Sequence, residues 1–76
     1  MITLQKSIEV MNQTAINRIR LVLAEKNLTN KWLAEKLGKS KITVSRWVQN
    51  KHQPSLEQLV AIAKVLSVSP KELLND

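Results

Sequence analysis

The sequence predicts a small all-α domain of five short helices, preceded by a short N-terminal arm or β-strand. From Thr14 onward, apolar residues recur at helical spacing, and a Thr or a Ser stands at the start of each predicted helix. The 76 residues include one glycine and two prolines, too few for a protein built from strands and tight turns. Because two tryptophans are the only aromatic residues, the core must be mainly aliphatic.

Composition also narrows the possible functions. The chain has no cysteine, and its one histidine and six carboxylates are spread out, so we expect no metal, no cofactor and no enzymatic activity. The histidine, His52, is interpreted as an exposed loop residue. A net charge of +6 and a pI of about 10.1 favour a polyanionic partner. No apolar run approaches the ~18 residues that cross a bilayer. We therefore expect no membrane contact and a cytoplasmic, nucleoid-associated protein of a bacterium or phage.

Residues 1–13 differ from the rest and are interpreted as a separate arm, with residues 14–76 as the helical domain. The apolar residues of the arm alternate as in a strand with one apolar face, at Ile2, Leu4, Ile8 and Val10. Since a lone strand is not stable in water, such a strand would pair with a second copy of the chain. A helical arm and an irregular arm are the alternatives.

The first three helices are predicted from periodicity and caps. The first runs from its N-cap Thr14 to about Asn27, and the second from Thr29 to Gly38, which can adopt the left-handed conformation that ends a helix. Ser40 caps the third helix, over 41–49. The predicted core positions of these helices are Ile16, Ile19, Val22, Leu23, Leu33, Ala34, Leu37, Val44, Trp47 and Val48. Trp32 is predicted to be half-buried against the first helix or the arm, with a contact surface for a partner as the alternative.

The last two helices begin with capping-box patterns, Ser55-Leu-Glu-Gln58 and Ser69-Pro70-Lys-Glu72. Between these helices, Val68 is placed to pack against Leu73 as a hydrophobic staple. The apolar face predicted for the fourth helix consists of Leu56, Leu59, Val60, Ile62, Ala63 and Leu66.

The segment 29–49 has the spacing of a helix-turn-helix, whose second helix enters the major groove of DNA. Arg46 can donate two hydrogen bonds to guanine, Gln49 can bond to adenine, and Ile42 can meet a thymine methyl group. An ordinary solvated helix face is the alternative interpretation. The candidate base-reading residues are Lys41, Ile42, Thr43, Ser45, Arg46 and Gln49.

Charge along the chain supports this interpretation. Between Leu28 and Leu56 there are six basic residues and one acidic residue, so this segment carries +5 of the total charge of +6. Basic side chains and helix N-termini bind phosphates and fix the orientation of a protein on DNA. The candidate phosphate-contacting residues are Asn30, Lys31, Lys39, Ser40, Lys51, Gln53 and Ser55.

Three stretches carry a family resemblance: Leu28-Thr-Asn-Lys-Trp-Leu-Ala-Glu-Lys-Leu-Gly38, Ser40-Lys-Ile-Thr-Val-Ser-Arg-Trp47 and Pro54-Ser-Leu56. Over about residues 15–74 the chain resembles the lambda-repressor/Cro-type helix-turn-helix family. The resemblance implies a five-helix domain that binds operator DNA, usually as a two-fold dimer. It also implies base contacts from Lys41, Ile42, Thr43 and Arg46, and a phosphate contact from Asn30.

Two departures from the family pattern belong together. Leu23 and Val48 stand where many members carry an Arg and a Glu that pair, and an apolar pair can replace a buried ion pair at little cost. This predicts that Leu23 touches Val48. Asn50 stands where a glycine is usual, and Asn tolerates a left-handed backbone better than other non-glycine residues.

The leading hypothesis is therefore a non-enzymatic, sequence-specific DNA-binding transcriptional regulator, a repressor of the Cro type. It would bind double-stranded DNA as a homodimer, with the N-terminal arm as the candidate contact between the two copies. The alternative is an antitoxin-like or protein-interaction module that binds a protein partner and uses DNA binding for autoregulation.

Overall fold

The computed structural model of the protein describes residues 15–75. These residues form short helices joined by short connections. The predicted arm, residues 1–13, and the predicted cap Thr14 lie outside the described residues. The elements are α1 (Ile19–Glu25), α2 (Asn30–Leu37), α3 (Lys41–Val48), α4 (Leu56–Leu66) and a 3-10 helix (Pro70–Leu73). The fifth segment is a short 3-10 helix, so the described part of the chain contains four α-helices, not the five helices of the sequence prediction.

Helix α1 begins later than the sequence predicts. The preceding residues pair with the C-terminal segment: the Arg18 N–H donates to the Leu73 carbonyl at 2.7 Å, and the Asn75 N–H donates to the Ile16 carbonyl at 2.8 Å. An isolated antiparallel bridge joins Asn17 to Leu74. Because this pairing holds the backbone out of a helix, Ile16 is 54% exposed, and its predicted place in the core was wrong.

Side-chain caps define the starts of the next three helices. The hydroxyl oxygens of Thr29, Ser40 and Ser55 each accept a hydrogen bond from a backbone N–H three residues later. The Gln58 side chain completes the predicted capping box of α4 by accepting from the Ser55 N–H at 2.8 Å. These caps confirm the predicted starts of α2, α3 and α4 to within one residue.

The core is one aliphatic cluster that includes Trp47, as predicted. Helix α4 contributes a narrower stripe than expected: Leu56 is 76% exposed and Val60 is 46% exposed. Leu56 is the first residue of the helix and Val60 lies on its solvent side, so neither belongs to the core. The buried apolar residues are Ile19, Val22, Leu23, Leu33, Ala34, Val44, Trp47, Val48, Leu59, Ile62, Ala63, Leu66 and Leu73.

Three packing predictions concern residues in the core or at its edge, and the first of them is confirmed. Trp32 is half-buried against the cluster, and the Lys36 ammonium lies 5.8 Å from the centre of its ring. Val68 is half-buried against the core cluster, to which Leu73 belongs, and the staple contact between them stays a prediction. Leu23 and Val48 are both buried in that cluster, and α1 packs against α3. Their burial is what an apolar pair in place of an ion pair requires, and their direct contact stays a prediction.

Left-handed residues follow all four described α-helices, at Asn27, Gly38, Asn50 and Ser67. Gly38 and Ser67 should respond oppositely to substitution. Gly38 has φ of 67°, and an added Cβ would meet no atom within 4 Å, so Gly38→Ala introduces backbone strain without a clash. We expect it to lower the free energy of unfolding by about 1 kcal/mol. Ser67 has φ of 59°, so Ser67→Gly should raise that free energy slightly. Urea unfolding of both variants tests the pair, and a loss in both would contradict this account.

Candidate nucleic-acid interface

Helices α2 and α3 form the predicted helix-turn-helix. Each has eight residues, and they are joined by three residues, from Gly38 to Ser40. The left-handed Gly38 reverses the chain, and the Lys39 N–H donates to the Ala34 carbonyl at 3.0 Å. This closes the end of α2 and allows Ser40 to cap α3 at once. The turn therefore sets α3 at a defined angle to α2.

One side of α3 is anchored in the core and the other is open. Val44, Trp47 and Val48 are buried. On the opposite side Ile42 is 68% exposed, and Arg46 is also exposed. Of the other candidate base-reading residues, Lys41 and Gln49 are exposed, whereas Thr43 and Ser45 are half-buried. Five of the six predicted residues thus lie on α3, and the sixth, Gln49, is the C-cap residue that follows it.

The polar side chains on this helix differ in whether they already have a hydrogen-bond partner within the protein. The Ser40 hydroxyl donates to Thr43 Oγ1 at 2.9 Å and accepts from the Thr43 N–H at 3.1 Å. The Gln49 amide donates to Ser45 Oγ at 3.2 Å. Within residues 15–75, the guanidinium of Arg46 has no hydrogen-bond partner, and its charge is available to a ligand. Reading a base with Gln49 requires its bond to Ser45 to be exchanged.

The predicted phosphate-contacting residues lie mainly at helix starts and in the loop after α3. Lys31, Lys39 and Lys51 are exposed, and Asn30 is half-buried. Because Thr29 caps the Trp32 N–H, the N–H groups of Asn30 and Lys31 remain at the open end of α2 without a partner in the helix. Such N–H groups attract anions.

The start of α4 has the same construction. Ser55 accepts the Gln58 N–H at 3.1 Å and leaves the first two N–H groups of the helix uncapped. The side chain of Ser55 is exposed, so its hydroxyl hydrogen can reach a ligand. The hydroxyl hydrogen of Ser40, in contrast, is already donated to Thr43. At the start of α3, therefore, the backbone N–H groups and not the Ser40 hydroxyl are available to an anion.

Sequence reasoning missed one residue beneath this surface, Asn17. It is the buried polar residue of the described chain, at 4% exposure. Its carboxamide nitrogen donates to the Trp47 carbonyl at 2.9 Å and to Gln53 Oε1 at 2.9 Å. Its backbone N–H donates to Asn50 Oδ1 at 2.8 Å. The start of α1 is thereby tied to the end of α3 and to the loop that follows it.

The predicted left-handed conformation of Asn50 is confirmed, with φ of 60°. Its side-chain nitrogen donates to the Asn17 carbonyl at 3.1 Å, and its oxygen also accepts from Gln53 Nε2 at 3.2 Å. A residue at this position is therefore used for its side chain as well as for its backbone. An Asn where a glycine is usual was the one signal in the sequence that could have led to Asn17.

Within residues 15–75, no group of three His, Asp or Glu side chains is placed to hold a metal ion. None of the helices described is both long enough and apolar enough to cross a membrane.

Comparison with known proteins decides the family. Residues 16–73 match the family model described as Helix-turn-helix. The chain belongs to the helix-turn-helix family of the lambda-repressor and Cro type. This is a family of DNA-binding transcriptional regulators, not of enzymes.

Two similar proteins illustrate the family. The HTH-type transcriptional activator BcrR of Enterococcus faecalis is 44% identical over 50 residues, which cover 66% of this chain and 24% of that protein. The chain thus spans about a quarter of the length of this curated relative. A crystal structure of a protein from Bacteroides fragilis, described as a candidate DNA-binding protein, is 58% identical with a TM-score of 0.77. That match covers 79% of this chain and 97% of the other. The antitoxin-like alternative is not favoured by these comparisons.

Proposed function

We propose that this helix-turn-helix protein is a sequence-specific regulator of transcription that reads the major groove with the open side of α3. One observation carries the proposal: Ile42 and Arg46 point away from a helix whose other side is fixed in the core. An isoleucine that is 68% exposed beside a free guanidinium is unfavourable in water and well suited to a groove lined with methyl groups and acceptors.

Five of the six candidate base-reading side chains have a place in the groove. Arg46 donates two hydrogen bonds to guanine O6 and N7, and Ile42 packs on a thymine methyl group. Gln49 bonds to adenine after releasing Ser45. Lys41 and Thr43, in the first turn of α3, reach the bases nearest to the helix start.

Backbone contacts place α3 in the groove. The N-terminus of α2, at Asn30 and Lys31, holds one phosphate, and the start of α4, at Ser55, holds another. The lysines at 39 and 51 and the amide of Gln53 add contacts on either side of α3. Since phosphate contacts release counterions, affinity should fall steeply as salt is raised.

Selection of binding sites from random-sequence DNA with the purified chain tests this function. We expect enrichment of one motif that contains a guanine and a neighbouring thymine, and affinity for it well above that for random DNA at the same salt concentration. Recovery of a pool without a motif would contradict sequence-specific recognition, even if the protein binds DNA through its charge.

The proposal includes a homodimer, because one copy of α3 contacts few base pairs and two half-sites double them. The alternating apolar residues of the N-terminal arm, residues 1–13, are the candidate dimer contact.

Deletion of residues 1–11 tests the arm directly. If the arm joins two copies, sedimentation equilibrium should show a shift from dimer to monomer, with the circular dichroism spectrum of the helices retained. A truncated chain that sediments as the same dimer would exclude this role for the arm.

A further inference from the structure

The amide network under the loop after α3 has only one consistent arrangement of donors and acceptors. A backbone N–H can only donate and a carbonyl can only accept. The Ile19 N–H donates to the Asn17 side-chain oxygen at 3.1 Å. The other side-chain atom of Asn17 is therefore the nitrogen, and its two hydrogens go to the Trp47 carbonyl and to Gln53.

The orientation of Gln53 follows from that of Asn17. The atom of Gln53 that faces the Asn17 nitrogen must accept, so it is Oε1. Nε2 then faces Asn50 Oδ1, which is itself fixed as an acceptor by the Asn17 backbone N–H. Rotating the Gln53 amide by half a turn would place nitrogen against nitrogen and oxygen against oxygen, losing both bonds.

One donor of this network is left over. The bond to Asn50 uses one of the two hydrogens on Gln53 Nε2, and no other acceptor for that nitrogen lies within residues 15–75. Gln53 is exposed, in a loop that begins at the end of α3 and includes Lys51. The second hydrogen is thus presented to a ligand in a fixed direction, on a loop that also carries a positive charge two residues earlier in the chain. A phosphate oxygen is the ligand this pairing favours.

We propose that Asn17 is a positioning residue for DNA binding. Although it is 4% exposed and cannot touch DNA, its carboxamide holds the Gln53 amide so that a donor faces the DNA backbone. The inference rests on the proposed function insofar as the ligand is DNA, but it concerns phosphate contact and does not require sequence specificity. It can therefore be tested on DNA of random sequence.

The test is a double-mutant cycle of Asn17→Ala and Gln53→Met. The methionine keeps the length of the side chain and removes its donor. We expect Gln53→Met to weaken binding to selected and random duplexes alike, by about tenfold. The dependence of affinity on salt should be unchanged, because a neutral amide displaces no counterion. If Asn17 acts through Gln53, Asn17→Ala should weaken binding to a similar degree. The double variant should then have the same affinity as the single variant that binds less tightly, with no additional loss.

Two results would overturn the proposal. In the first, Gln53→Met binds DNA as tightly as the wild type. In the second, the fold-losses in affinity of the two single variants multiply in the double variant. The latter pattern is that of a residue with a purely structural role. All titrations are made at a temperature at which circular dichroism shows every variant folded. Failure of the proposed function would look different from these two results, because the wild type would then bind the selected duplex no more tightly than a random one.

Should Asn17→Ala not fold, side-chain amide resonances of the wild type provide the test. We expect the two Nε2 hydrogens of Gln53 to differ strongly in chemical shift in the free protein. On addition of a random-sequence duplex, the outer hydrogen should shift while the hydrogen donated to Asn50 stays in place. A separation in chemical shift no larger than that of a solvent-exposed glutamine amide, or a pair of resonances that DNA leaves unmoved, would contradict the positioning role.

Discussion

Replacing Arg46 by alanine is expected to weaken binding to the selected DNA site by about 1–3 kcal/mol while changing affinity for random DNA little. The guanidinium is exposed and unpaired within residues 15–75, so the substitution removes no internal contact that folding requires. In the proposed complex, it removes the pair of hydrogen bonds to guanine, which random DNA does not offer in register. Titrations of both duplexes at one salt concentration measure the difference.

Lys64→Ala is the matched control for charge. Lys64 is exposed in the last turn of α4, eight residues after Leu56. It therefore lies about 12 Å along the helix from the end that we propose contacts DNA. It removes one positive charge, as Arg46→Ala does, and should lower the affinity for both duplexes equally and slightly. An equal loss on selected and random DNA for Arg46→Ala as well would mean that Arg46 contributes charge alone.

The largest effect on stability is expected from Ile62→Ala. Ile62 is fully buried at the centre of the cluster, where α4 packs against α2. Truncation leaves a cavity and should lower the free energy of unfolding by about 2–5 kcal/mol. A 76-residue domain has only about 4–11 kcal/mol in total, so the variant should be partly unfolded at room temperature or close to it. Urea unfolding followed by circular dichroism measures the loss.

Leu56→Ala provides the comparison on the same helix. Sequence periodicity assigns both residues to one apolar face, but Leu56 is 76% exposed. We expect its truncation to change the free energy of unfolding by less than about 0.5 kcal/mol. A loss at Leu56 as large as that at Ile62 would show that another surface covers this side chain in solution.

Local signals predicted the helix-turn-helix well because each of them acts within a few residues. Gly38 ends α2 and Ser40 begins α3, and no distant contact is needed to place either. The spacing of Val44, Trp47 and Val48 defines the buried side of α3, and the open side with Arg46 follows by exclusion. The base-reading role of that side stays a prediction, since it depends on a partner that the chain alone does not contain.

Features that depend on distant parts of the chain could not be predicted in this way. Residues 15–18 have helical periodicity, but pairing with residues 73–75 draws their backbone out of α1. The contact joins segments almost 60 residues apart in the sequence, so no pattern within either segment predicts it. Asn17 is buried by the same pairing, and its bonds reach Asn50 and Gln53, more than 30 residues away.

Exposure on α4 illustrates a different difficulty. Periodicity gives the direction of an apolar face but not its width, because the width depends on what packs against it. The neighbours of α4 cover Leu59, Ile62, Ala63 and Leu66 and leave Val60 at 46% exposure.

The central claim is that Arg46 bonds to a guanine in the major groove, and replacing that guanine by 7-deazaguanine tests it most directly. The modified base lacks the N7 acceptor but keeps its base pairing, so only the groove contact changes. We predict that the wild type loses affinity for the modified site, whereas Arg46→Ala binds modified and unmodified sites equally. Wild-type affinity that is the same for both sites at every guanine of the selected motif would contradict the claim.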